Sequence, residues 1–168
     1  MMIAATHFAG LSTAVATNRA ELLVLVVEDS KLVRDRLVRL LSEIPNLRIV
    51  AEAATAADAI RKIGDLEPDM VTLDLRLEKS SGLDVLRAIE GGDRRPCIAV
   101  LSNQGDPEAR RECLALGADF FFDKSREMGD LKTMISGLAA SIQPGDRVRR
   151  GRVTRKVLSP RGGTVLKP

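Results

Sequence analysis

The sequence predicts an α/β fold, a parallel sheet covered by helices on both faces. Three observations carry this. Short continuous apolar runs such as "LLVLVV" and "CIAVLS" suit strands buried on both sides. Segments with helical apolar spacing alternate with them. Aromatics make up only 2% of the 168 residues, with no Trp or Tyr, so an aliphatic core must fill the space between layers. The length allows one domain with a true core and short extensions, and hardly a second domain.

The elements follow in order. Leu22–Val27 is the first strand, and Ser30 can cap the next helix. "SKLVRDRLVRLLSEI" sets Leu32, Val33, Leu37, Leu40, Leu41 and Ile44 at helical spacing, and Pro45 and Asn46 end it. "LRIVAEA" is a second strand. "TAADAIRKIGDL" is a helix with Thr55 as its cap. "DMVTLDL" is a third strand with Asp74 at its C-terminal end, and "EKSSG" reads as a loop. Leu83 to Glu90 is a short helix closed by Gly91 and Gly92. "CIAVLS" is the fourth strand, ending at Ser102. A helix follows that opens at Pro107 and closes at Gly117. "FFF" is a very short fifth strand, then "REMGDLKTMISGLAASI" a final helix, weakened by Gly129 and Gly137.

In open parallel sheets, ligands bind at the carboxyl ends of the strands. Glu28, Asp29, Asp74, Ser102, Asp123 and Lys124 stand at or just past those ends. One pocket would gather the three carboxylates of Glu28, Asp29 and Asp74 with the Ser102 hydroxyl and the Lys124 ammonium. Crowded carboxylates are unstable unless a hard cation neutralises them or some become protonated. Magnesium takes oxygen ligands and also binds phosphate oxygens. Lys124 offers a point positive charge and Ser102 a hydroxyl donor. This is the electrostatic demand of phosphoryl transfer, and aspartate is a competent nucleophile for an acyl phosphate. Asp74, on the middle strand, is the natural acceptor.

The ordered motifs "VVEDS", "VTLDLRL", "AVLSN" and "GADFFFDKS" resemble those of the receiver domains of two-component response regulators, from about Leu22 to Ile142. The resemblance implies a doubly wound fold with the flavodoxin-like strand order 2-1-3-4-5. It implies Mg²⁺ held by Glu28, Asp29, Asp74 and the backbone carbonyl of Arg76. A sensor histidine kinase or phosphotransfer protein would phosphorylate Asp74. Ser102 and Lys124 would contact the phosphoryl group, and Phe121 matches the aromatic switch position. Gly82, eight residues after Asp74, also matches. Three positions depart. Ser125 replaces the usual Pro after the Lys, and Glu78 stands where Pro is common. Phe121 lacks the hydroxyl of the common Tyr.

Each residue alone has a blander account. Glu28 and Asp29 could favour a helix N-terminus by up to about 1 kcal/mol. Asp74 could be a turn residue, Ser102 a cap, and Lys124 a solvated amine. The ordered set is what outweighs these. An aspartate-based Mg²⁺ phosphatase is disfavoured, because Arg76 stands where such enzymes place a second Asp. Asn103 and Gln104 are placed to tune water access to an acyl phosphate. Cys97 and Cys113 form no CxxC pair and read as buried, reduced core thiols. His7 reads as irrelevant to the site.

The expected organisation is a disordered leader over 1–20, the receiver over 21–143 and a basic tail over 144–168. The tail carries eight basic residues against one acid, a charge of +7. The remainder holds 18 basic and 22 acidic residues, a charge of −4. No full output domain is expected, so the chain reads as a stand-alone, cytoplasmic receiver that is not a conventional enzyme. Its output would be switched contacts with a downstream protein, with a homodimer as a further arrangement. The alternative is phosphorylation-controlled binding of nucleic acid through residues 147–156. Neither a membrane helix nor a signal peptide is expected.

Overall fold

A computed structural model of the chain describes residues 21–92, 95–103 and 107–142. The expected leader, the basic tail and Gln104 lie outside the described residues. Five strands form one parallel sheet: β1 (Leu22–Val27), β2 (Leu47–Ala53), β3 (Met70–Asp74), β6 (Cys97–Ser102) and β7 (Phe120–Asp123), in the order β2-β1-β3-β6-β7. With the sheet strands counted alone, this is the expected order 2-1-3-4-5. Among the described residues five helices complete the fold: α1 (Lys31–Ser42), α2 (Ala56–Leu66), α3 (Gly82–Ile89), α4 (Pro107–Ala115) and α5 (Met128–Ser141).

The aliphatic strands work as their composition demands. β1, β3 and β6 are buried along their whole length, because helices cover both faces. Alternate residues feed two cores. Val24, Val26, Met70, Ala99 and Leu101 pack with Leu37 and Leu41 of α1 and Leu131, Ile135 and Leu138 of α5. On the other face Leu25, Leu73, Val100 and Phe121 pack with Ile63 of α2, Val85 and Leu86 of α3 and Cys113 of α4. Burying each large aliphatic side chain is worth about 1.5–3 kcal/mol. Burial pushes the Cys97 thiol well up and the Cys113 thiol up to about 11, so both stay protonated near neutral pH.

The caps are where the sequence puts them. Ser30 Oγ accepts from the amide of Val33, and Thr55 Oγ1 from that of Asp58. Asn46 adopts the left-handed conformation after α1, and its carbonyl accepts from the amide of Leu22. Two details differ. The segment expected as a plain loop folds into an antiparallel hairpin, β4 (Arg76–Leu77) with β5 (Ser80–Ser81). Helix α3 starts one residue early, at Gly82. Ser81 caps it, and its amide bonds reciprocally with the Asp84 carboxylate. Among the described residues no helix is long and apolar enough to cross a membrane.

Candidate functional site

Strands β1 and β3 are adjacent and parallel, so their C-terminal ends emerge together. Glu28 directly follows β1, and Asp74 closes β3. By strand alternation both continue the face that carries Val26 and Met70. Glu28 and Asp74 are buried, and Asp29 is half-buried. One carboxylate oxygen from each of Glu28, Asp29 and Asp74 lies within 4.8 Å of the others.

Lys124 reaches into this group from the loop after β7. Its Nζ stands 2.5 Å from Glu28 Oε2 and 2.9 Å from Asp74 Oδ2. The three side chains are 8%, 2% and 6% exposed, so water screens the contacts little. Burial is the main influence on Glu28 and pushes its carboxyl above the ordinary range. The Lys124 hydrogen bond opposes this, and the Asp74 charge adds to it.

Backbone contacts hold the pocket in shape. The Arg76 amide donates to Asp74 Oδ1 at 3.1 Å, and the Ser30 amide to Asp29 Oδ1 at 2.7 Å. Ser102 is buried at the end of β6, and its carbonyl accepts the Lys124 amide at 2.8 Å. By alternation Ser102 shares the sheet face of Val100 and Phe121, the latter 5% exposed on the neighbouring strand.

Asp123 behaves differently from the other strand-end carboxylates. Its Oδ1 accepts from the amide and hydroxyl of Ser125, which hold this exposed carboxyl below its usual range. It is not among the three residues whose oxygens converge. The residue after Lys124 therefore has a role the sequence did not suggest. Asn103 is exposed just beyond Ser102.

Arg34 is the contributor that sequence reasoning missed. Its Nη1 donates to the carbonyls of Glu28 at 2.6 Å and Asp29 at 3.2 Å, while its Nε pairs with Glu52 of β2 at 3.1 Å. The guanidinium pins the backbone that presents both carboxylates. No local pattern distinguishes Arg34 from the other basic residues of α1.

Gly82 shows why its position admits no side chain. A Cβ there would lie 2.4 Å from the Asp74 carbonyl oxygen. The Gly82 amide also donates to the Leu75 carbonyl. Gly82→Ala must displace the end of β3. The expected result is a loss of about 1–3 kcal/mol in urea unfolding.

The three carboxylates fit a hard divalent cation such as Mg²⁺, which prefers oxygen donors. Beside them lies a buried ammonium, and a buried hydroxyl residue ends the neighbouring strand β6. Fold and residues together describe a doubly wound α/β domain with an acidic cluster and a lysine at the carboxyl end of its sheet. Residues 24–136 match the response regulator receiver domain family, and the chain belongs to it. Domains of this family serve two-component systems, where they are phosphorylated and bind Mg²⁺.

The chain is 35% identical over 122 residues to a protein-glutamate methylesterase/protein-glutamine glutaminase of Methanospirillum hungatei, covering 71% of this chain and 36% of that protein. It is 33% identical over 133 residues to a protein of the same name from Koribacter versatilis, covering 77% and 36%. The chain thus spans about a third of the length of these relatives. Among solved structures, a LuxR-family response regulator from Aurantimonas aligns with a TM-score of 0.66 at 26% identity, covering 82% of this chain and 95% of that one. The Borrelia burgdorferi CheX–CheY–BeF₃–Mg²⁺ complex aligns with a TM-score of 0.61 at 25% identity, covering 71% and 96%.

Proposed function

We propose that this receiver accepts a phosphoryl group on Asp74 from the phosphohistidine of a sensor kinase or phosphotransfer protein. The observation that carries this is the convergence of Glu28, Asp29 and Asp74 oxygens, with the Lys124 ammonium against Glu28 and Asp74. In the transfer, a carboxylate oxygen of Asp74 attacks phosphorus as the phosphorus–nitrogen bond of the donor breaks. Lys124 stands beside Asp74 Oδ2, where it would neutralise a phosphoryl oxygen. Ser102 would donate to a second oxygen. Glu28, Asp29, Asp74 and the Arg76 carbonyl would hold Mg²⁺, which supplies charge neutralisation for the transferred group.

The phosphorylated state then biases contacts with a downstream protein through Ser102 and Phe121, which share one sheet face. No turnover of an external substrate by the receiver itself is part of this reading. The test is acetyl phosphate or BeF₃⁻ with Mg²⁺, followed by intact-mass and amide NMR. A +80 Da adduct (from acetyl phosphate) and shifts around Ser102 and Phe121 are expected, and Asp74→Asn should show neither. An equal response in Asp74→Asn would sink the assignment.

A second contact is proposed for residues 147–156, on their charge alone. They would bind nucleic acid with a steep salt dependence. Truncation after Gln143 should abolish retention on duplex DNA at about 50 mM salt. Equal retention of the truncated chain would remove the proposal.

A further inference from the structure

Phe121 has no hydroxyl with which to hold a position, yet it lies almost wholly inside the fold. Arg110 of α4 covers it. The guanidinium carbon stands 5.0 Å from the ring centroid, within the range of a cation–π contact. Arg110 is held in turn by Glu127. Its Nη2 is 3.5 Å from Glu127 Oε2, and that oxygen also accepts the Asp123 amide at 2.6 Å. Glu127 immediately precedes α5, and its side chain accepts no cap bond from that helix; its Oε2 instead joins Arg110 and the Asp123 amide. Three elements are joined: α4 through Arg110, β7 through Phe121 and Asp123, and the start of α5 through Glu127. Lys124, the site ammonium, directly follows Asp123.

We propose that Arg110 and Glu127 are positioning residues that hold Phe121 in its inward position, so that the acceptor site is set for the phosphoryl group before it arrives. This rests on the receiver reading given above. A hydroxyl would fix an aromatic by one hydrogen bond. Here a planar cation laid across the ring does so, and a carboxylate fixes the cation. An unlatched Phe121 spends part of its time outward, and the apparent affinity for a phosphoryl mimic falls by the fraction lost. Arg110 is about a third exposed and Glu127 similarly so, which limits each contact to a modest effect.

The experiment titrates BeF₃⁻ with saturating Mg²⁺ into the full chain, labelled with ¹³C in the Phe rings. Wild type, Arg110→Ala, Arg110→Lys and Glu127→Gln are compared. Arg110→Ala should weaken BeF₃⁻ binding by about three- to tenfold and shift or broaden the Phe121 ring signals of the free protein. Arg110→Lys keeps the charge but loses the planar stack, so it should fall between wild type and Arg110→Ala. Glu127→Gln should reproduce part of the loss, and about 0.5 M NaCl should shrink the difference between it and wild type. Binding in Arg110→Ala within twofold of wild type, with unmoved Phe121 signals, overturns the proposal. A lower melting temperature with neither change overturns it too. If wild type itself fails to bind BeF₃⁻, the receiver reading fails, and the latch with it.

Discussion

Replacing Lys124 by Ala is expected to cost about 3–5 kcal/mol of stability in the absence of divalent cations. The reason lies in what remains. Glu28 and Asp74 would stay buried beside one another with the ammonium between them gone. An unpaired buried charge is costly, and two of like sign are costlier. Part of the loss should return on adding Mg²⁺, because the cation replaces the missing charge. Asp74→Asn in the same background should also restore part of it, by removing one of the repelling carboxylates. Urea unfolding in EDTA and in 10 mM Mg²⁺, about the level that fills a millimolar site, measures all of these. A cost below about 1 kcal/mol would show that the ion pairs are no more than solvated surface contacts.

Mg²⁺ is expected to raise the melting temperature of the unmodified chain, and Asp29→Asn should remove most of the gain. The same experiment has a pH arm. Burial raises the folded pKa of Glu28 above its ordinary value of 4.5. Its contribution to stability is therefore fully present below that value and is lost as pH rises through the folded pKa. In EDTA, stability should fall as pH climbs from the ordinary carboxylate range toward neutrality. Asp35, Asp58 and Asp123 shift the other way, so their contributions are lost only below their ordinary value of 3.8, outside this window. Saturating Mg²⁺ should flatten the slope, since it favours the ionised form of Glu28. Glu28→Gln should flatten it without the cation. A slope that survives in Glu28→Gln would assign it to another group.

Much of this architecture is legible in the chain because it is written in local patterns. The apolar runs 22–27 and 97–102 become strands over those same residues, and Ser30 and Thr55 cap the helices they precede. The site was legible because a parallel sheet sends every strand end the same way. That turns Glu28, Asp29, Asp74 and Lys124, far apart in sequence, into neighbours. What stayed hidden depends on side chains meeting backbone across the fold. Arg34 on the Glu28 and Asp29 carbonyls, Ser80 Oγ accepting the Ala56 amide and Glu127 accepting the Asp123 amide leave no periodic signature. The β4–β5 hairpin was hidden because two-residue strands fall below any alternation signal. Position alone sets Asp123 at a strand end like the others and cannot show that Ser125 claims its carboxylate.

The split of the sheet into two faces has a consequence for how such a domain can diversify. By alternation Glu28 and Asp74 continue the face that packs on α1 and α5, while Phe121 packs toward α2, α3 and α4. The carboxylate cluster and Phe121 thus lie in two compartments separated by the strands, with Ser102 on the Phe121 side. The outward side chains of α2, α3 and α4 can change without altering either inner face, Arg110 excepted, because it reaches Phe121. The strand backbones themselves have no such freedom, because each serves both compartments at once.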